Sequence, residues 1–183
     1  QTSASSTSAA INIASGVTTS NSINIRNNIF ANIQTIGNVY AIYSAAPANV
    51  YSAIDFNDYH KGTATNLGFL GGNRATLADW RSATGKDASS VAVNPLFVSA
   101  VDLHIQLASP VNARATNIGT ITTDIDGNAR NVTIPDIGAD EITPPNCSGV
   151  PAGGTAAASN TEICLSGSVY LSATGFATGT EGL

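Results

Sequence analysis

Ser22-Ile23-Asn24-Ile25-Arg26-Asn27-Asn28-Ile29-Phe30 and Ser52-Ala53-Ile54-Asp55-Phe56-Asn57-Asp58-Tyr59 carry the reading of the fold. In each stretch apolar side chains alternate with small or polar ones, as a strand with one buried face requires. An Asn-containing pair follows closely each time, Asn27-Asn28 in the first and Asn57-Asp58 in the second. Asn and Asp tolerate the left-handed backbone of a tight bend, and their side chains can bond neighbouring backbone. Further short runs of the same kind are Ala10-Ile11-Asn12-Ile13 and Val39-Tyr40-Ala41-Ile42-Tyr43. The recurrence from Ile13 to Ile25, Ile42 and Phe56 leaves no room for the helix of a βαβ crossover. Two arrangements fit: hairpins in a sandwich, or short parallel strands stacked in a solenoid. The pattern alone leaves both open.

The chain then changes character. Gly68 to Asn73 (GFLGGN) reads as a loop, and Thr76-Leu77-Ala78-Asp79-Trp80-Arg81 as a short helix with Thr76 as N-cap and Asp79 in its first turn. This helix holds the single Trp. Asn94-Pro95-Leu96-Phe97-Val98 reads as an extended segment entered through proline, Asp102-Leu103-His104-Ile105-Gln106-Leu107 as a strand, and Ser109-Pro110 as its exit.

Composition narrows the function classes. The 183 residues contain 10% charged side chains, against roughly 25% in an ordinary soluble domain. Asn, Ser and Thr (18, 19 and 20 residues) take up the difference. A net charge of −5 with seven Lys and Arg argues against a nucleic-acid partner. No run approaches the ~18 apolar residues of a membrane helix, so no membrane span is expected. The 43% hydrophobic content is ample for a packed core. Met is absent, and the small polar opening Gln1 to Ala10 has no charged start followed by an apolar core, so it does not read as a signal peptide. With the abrupt end at Thr180-Glu181-Gly182-Leu183, this reads as a piece of a longer polypeptide. Cys147 and Cys164 fit no zinc spacing and read as a disulfide between neighbouring strands, with two buried thiols as the alternative. Low Lys, abundant Thr, Asn and Ser, and a paired cysteine together suggest an exported protein.

The order of motifs adds a resemblance. Asn27-Asn28-Ile29-Phe30, Asp55-Phe56-Asn57-Asp58-Tyr59, Thr76-Leu77-Ala78-Asp79-Trp80, Asn94-Pro95-Leu96-Phe97-Val98, Asp102-Leu103-His104-Ile105 and Ser109-Pro110 succeed one another. Asp124-Ile125-Asp126-Gly127-Asn128 and Pro135-Asp136-Ile137-Gly138-Ala139-Asp140-Glu141 close the series. From Ile23 to Ile142 this resembles the C-terminal end of right-handed parallel β-helix proteins of the pectate-lyase-like superfamily. It is most similar to large bacterial surface proteins with a choice-of-anchor type domain. Val111 to Gly119 is longer than the usual link there. After the linker 143–146, residues 147–183 resemble the start of an Ig-like repeat of type IX-secreted proteins.

The resemblance implies an all-β fold. Residues 1–142 would form the terminal coils of a right-handed parallel β-helix with a C-terminal cap containing a short helix, and 147–183 a partial Ig-like β-sandwich. It implies a non-catalytic structural or adhesion module of a large secreted or outer-surface protein. The partners would be the type IX translocon and its carrier proteins, and an extracellular glycan or a host or neighbour surface. The alternative is the tail of a polysaccharide lyase or glycoside hydrolase whose active site lies on earlier coils.

No residue is assigned a catalytic role. Asp55, Asp58 and His60 are the candidate glycan contacts, because carboxylates beside Tyr59 could face a sugar. Asp124-Ile125-Asp126-Gly127 opens like a calcium loop, but Pro135 stands where an EF-hand needs its closing Glu. No cofactor is expected beyond a structural Ca²⁺ at Asp124 and Asp126, and a turn bonded to its own backbone is the competing reading. His104 and His60 have no second His or Cys near them in sequence, so a transition-metal site has little support. Trp80, Phe97 and Leu103, with Leu77, Leu96, Ile105 and Leu107, are expected to close the end of the core.

Overall fold

The computed structural model describes residues 6–143 and, beyond them, the strands Thr155–Ala158 and Leu171–Thr174. The chain divides into two compact units, Gln1–Ile142 and Thr143–Leu183. In the first unit, strand β1 (Thr7–Ile13) pairs with β4 (Asn38–Ser44), β2 (Ile23–Arg26) with β5 (Tyr51–Asp55), and β3 (Ile29–Ala31) with β6 (Asp58–His60). All three pairings are parallel. Strand β4 pairs on its other edge, again parallel, with β7 (Gly68–Leu70). Gly71 and Gly72 then turn the chain back at positive φ, and β8 (Asn73–Arg74) lies antiparallel to β7.

Parallel pairing here follows from like residues standing over like. Ile11 faces Ile42, Ile25 faces Ile54, and Phe30 faces Tyr59 with ring centroids 5.7 Å apart. Tyr43 and Phe69 stack at 4.5 Å with only 9° between their planes. Such cross-strand pairs are each worth about 0.2–1 kcal/mol and fix the register. The bends behave less uniformly. Asn27 takes the left-handed conformation after β2 (φ 63°), whereas after β5 it is Phe56 that does so (φ 55°). There the Asp55 carboxylate accepts the Phe56 N–H, which supports the strained bend.

The expected all-β, right-handed parallel β-helix is not what the described strands build. They make one mixed four-stranded sheet, ordered β1-β4-β7-β8, and two-stranded sheets, with an α-helix beside them. Among the described residues no sheet closes on itself or runs on as a solenoid. The physical reason lies in residues 71–142. Strand alternation stops at Leu70, β8 reverses direction, and Pro95, Pro110 and Pro135 cannot donate to a ladder. Apart from β8 and the helix over 77–84, the described residues there form turns and isolated bridges, Asp58 to Val91, Phe97 to Ile105, and Thr123 to Ala129. The strand expected over 102–107 reduces to the single antiparallel bridge at Ile105.

In the second unit, β9 (Thr155–Ala158) and β10 (Leu171–Thr174) form one antiparallel pair. Among the described residues this is the one pairing of the segment expected to begin an Ig-like sandwich, and the rest of 147–183 lies outside them. Cys147 and Cys164 lie outside the described residues.

Two apolar clusters hold the first unit. The larger contains Ile13, Ile25, Ile42, Tyr51, Ile54 and Trp80, and the smaller contains Ile105, Val111, Ala115 and Ile137. Helix α1 (Leu77–Thr84) begins at a capping box in which Thr76 and Asp79 satisfy each other's backbone N–H. It ends at Gly85 in the left-handed conformation (φ 67°). Its Trp80 is fully buried. Gly68 admits it, since a Cβ there would lie 3.0 Å from both Trp80 and Ile42. Phe97 is half-buried against the smaller cluster, whereas Leu103 is 63% exposed and Leu107 50% exposed. These two leucines therefore do not cover the core as expected: of this segment it is Ile105, between them, that is buried in the smaller cluster.

Trp80→Ala is expected to lower the unfolding free energy by about 3–5 kcal/mol, the cost of a buried aromatic cavity. Urea denaturation monitored by circular dichroism checks it, and an unchanged midpoint would mean that Trp80 is not buried.

Candidate functional site: an apolar groove beside a His and Asp cluster

Polar side chains do much of the backbone's bonding in residues 85–142. Asn57 is fully buried beneath β3: its Oδ1 accepts from Asn28 N–H at 3.0 Å, and its Nδ2 donates to Ile25 C=O at 3.1 Å. Asn27 clamps Thr116 by two bonds, Nδ2 donating to its C=O at 2.7 Å and Oδ1 accepting from its N–H at 3.1 Å. Asp136 accepts from Ala113 N–H at 2.6 Å and from Ile142 N–H at 2.7 Å. Glu141 accepts from the N–H groups of Asn131 and Asp136 and faces Arg130 at 3.5 Å.

These bonds frame a groove of about 670 Å³ between β3 and the loops that follow. Ile29, Phe30, Phe97, Ile105 and Ile125 supply apolar lining, and Arg26, Arg130 and Asp140 supply polar groups. Gly138, at φ 111°, packs where a Cβ would lie 2.7 Å from Ile29 Cδ1, so only glycine fits that wall.

At the Asp140 side sits a charged cluster. His104 Nδ1–H donates to Asp102 Oδ1 at 2.5 Å, and Nε2–H donates to Asp126 Oδ2 at 2.7 Å. Donation to Asp102 first, and to Asp126 second, raises the His104 pKa to about 9, so the ring is an imidazolium at neutral pH. The same bond holds the Asp102 carboxyl below its usual range. Asp140 accepts Ile105 N–H at 2.8 Å. His104, Asp126 and Asp140 each bring a ligand-type atom to within 4.8 Å of the others, with both His104 and Asp126 exposed.

A second knot is buried. Asp87 accepts from Tyr59 OH at 3.0 Å, Trp80 Nε1–H at 2.7 Å and Ser90 OH at 2.5 Å. Burial pushes its carboxyl up, and the Ser90, Trp80 and Tyr59 donors oppose that. Arg81 braces the same loop by donating to the carbonyls of Asp87 and Ser90.

The residues singled out in the sequence separate in space. Asp55 is half-buried and accepts Ser89 N–H at 2.7 Å. Asp58 is fully buried, its Oδ1 accepting Val93 N–H at 2.9 Å, so it does not face a sugar. His60 is half-buried in β6, where its carbonyl accepts Asn32 N–H. Asp124 caps a turn: Oδ1 accepts from Asp126 and Asn128 N–H, and Gly127 takes φ 86°. Asp126 instead turns to His104. Sequence reading missed Asp102, Asp140, Asn27 and Arg130. The spacing Asp102-Leu103-His104 was the available signal, since alternate residues of an extended segment share a side. No family model, curated protein or solved structure matches the chain.

Asp58 carries a testable charge. Its Oδ2 is buried without a hydrogen-bond partner among the described residues. Burial raises its pKa to about 7, against the opposing Val93 and Tyr59 backbone bonds. The native state therefore keeps a proton that the unfolded chain releases near pH 4. Stability from this group is full below that pH and is lost as pH rises toward 7, at up to about 1.4 kcal/mol per pH unit. Denaturation of the wild type and Asp58→Asn between pH 4.5 and 7.5 (roughly the titration window) should show the variant gaining on the wild type as pH rises. A pH-independent difference would mean that Asp58 ionises as it does in the unfolded chain.

Proposed function

We propose that this chain is a non-catalytic structural and adhesion module of a large secreted bacterial surface protein, exported through a type IX system. One observation carries the structural part of the reading. Asp55, Asp58, Asp124, Asp136, Asp140 and Glu141 each hold a backbone N–H with a carboxylate oxygen. Acid–base chemistry needs a carboxyl that can reach a substrate proton, and these are engaged in fixing loops. The order of motifs in the sequence supports the surface-protein origin, and the low content of charged residues supports export. The groove offers an extracellular partner an apolar contact face, as exposed apolar patches commonly do. A structural Ca²⁺ at Asp124 is disfavoured by the turn it caps, because Asp124 already accepts from Asp126, Asn128 and Glu141.

The test pairs a stability readout with an activity readout. Asp136→Ala removes acceptors for two backbone donors, each hydrogen bond to a charged group being worth about 1.5–3 kcal/mol. Limited proteolysis of Asp136→Ala should therefore run at least about tenfold faster than that of the wild type. Incubation of the longer protein that carries this chain with uronate polymers should release no unsaturated product. Ultraviolet absorbance from such a product would overturn this reading in favour of a lyase.

A further inference from the structure

We propose that His104, Asp126 and Asp140 form a binding site for a divalent first-row transition cation, Zn²⁺ being its probe, and that Asp102 is the positioning residue for His104. The donor set is one imidazole nitrogen and two carboxylate oxygens, brought from the bridge segment at 102–105, the turn at 124–128 and position 140. Zinc bonds of about 2.0–2.2 Å place tetrahedral donors roughly 3.3 Å apart. The three atoms already lie within 4.8 Å of one another, so closure around an ion needs displacements of about an ångström.

Each donor is braced from outside the set. Asp102 Oδ1 accepts both the Nδ1–H and the backbone N–H of His104, which aims Nε2 at Asp126. A carboxylate on the far nitrogen is the usual support of a metal-bound histidine. Ile105 N–H holds Asp140, and Asp124 holds the turn that carries Asp126. In the metal-free chain Asp102 and Asp126 converge on the two nitrogens of the His104 ring, and a cation would take the place of a proton on Nε2. That proton leaves to solvent, and the Nε2 lone pair and the Asp126 oxygen become ligands. Imidazole with two carboxylates suits zinc-like ions. Ca²⁺ takes six to eight oxygens, which this set does not offer. The inference is independent of the structural-module reading.

Calorimetric titration of the whole chain with ZnCl₂ at constant neutral pH should show one site per chain. Affinity should fall at least about tenfold in His104→Ala and about 10- to 100-fold in Asp102→Asn. His60→Ala should bind as the wild type does, and melting curves without metal should confirm that each variant is folded. Ring ¹⁵N shifts of His104 in the zinc-bound chain should place the metal on Nε2 and the proton on Nδ1. Metal on Nδ1 would overturn the role of Asp102. Absence of saturable zinc binding below about 1 mM, or binding that survives His104→Ala, would overturn the site.

Discussion

A backbone N–H taken out of water must find an acceptor, and over residues 85–142 this chain finds many of its acceptors on side chains. The strands of the first seventy residues satisfy one another. Later loops have isolated bridges and scattered backbone bonds, and Asp, Asn and Glu supply further oxygens. This makes sense of the composition: acidic groups are few, and several of them point inward. Asp136 and Glu141 are buried, and each accepts two backbone N–H bonds, with Arg130 beside Glu141. Their removal would cost more than the bonds themselves, because the orphaned N–H groups would stay buried.

The same need is met in two opposite ways. Asp87 lies inside, between Tyr59, Trp80 and Ser90, and its three neutral donors tie helix α1 to β6 without any countercharge. His104 lies outside, and its ring is held between carboxylates by charge. A buried, neutral-donor arrangement rigidifies a core. An exposed one leaves its polar atoms within reach of solvent. The groove runs between these regimes, with an apolar lining and a charged margin.

Much of the first half was legible. Alternation marked Ile23–Ile25 and Ser52–Phe56 because side-chain period is local, and Thr76 with Asp79 marked the helix start because a capping box spans four residues. What alternation could not carry was continuation. The Asn-rich pairs suggested a bend repeated from turn to turn, but Phe56, not Asn57, takes the strained position at the second, and after Leu70 the repeat gives way to proline-interrupted loops. Burial direction was equally hidden. Asp58 looked like a surface carboxylate beside Tyr59, yet both are fully buried, because the later segment at Val91–Val93 bridges and bonds onto Asp58. Asp102 and His104 are neighbours in sequence, whereas Asp140 joins them only through the Ile105 bond, which no local pattern encodes.

The Asn27 clamp on Thr116 has a consequence in time. It joins residues 89 positions apart, and Gly138 N–H closes on Asn27 C=O from further still. Closing so long a loop is slow compared with zipping adjacent strands. A ribosome delivering this chain from its N-terminus presents β1 to β6 well before their far wall exists. Ile29 and its neighbours on that side then stay wetted until more than a hundred further residues have emerged. Such a delay leaves that side of the unit open until most of the unit has been synthesised.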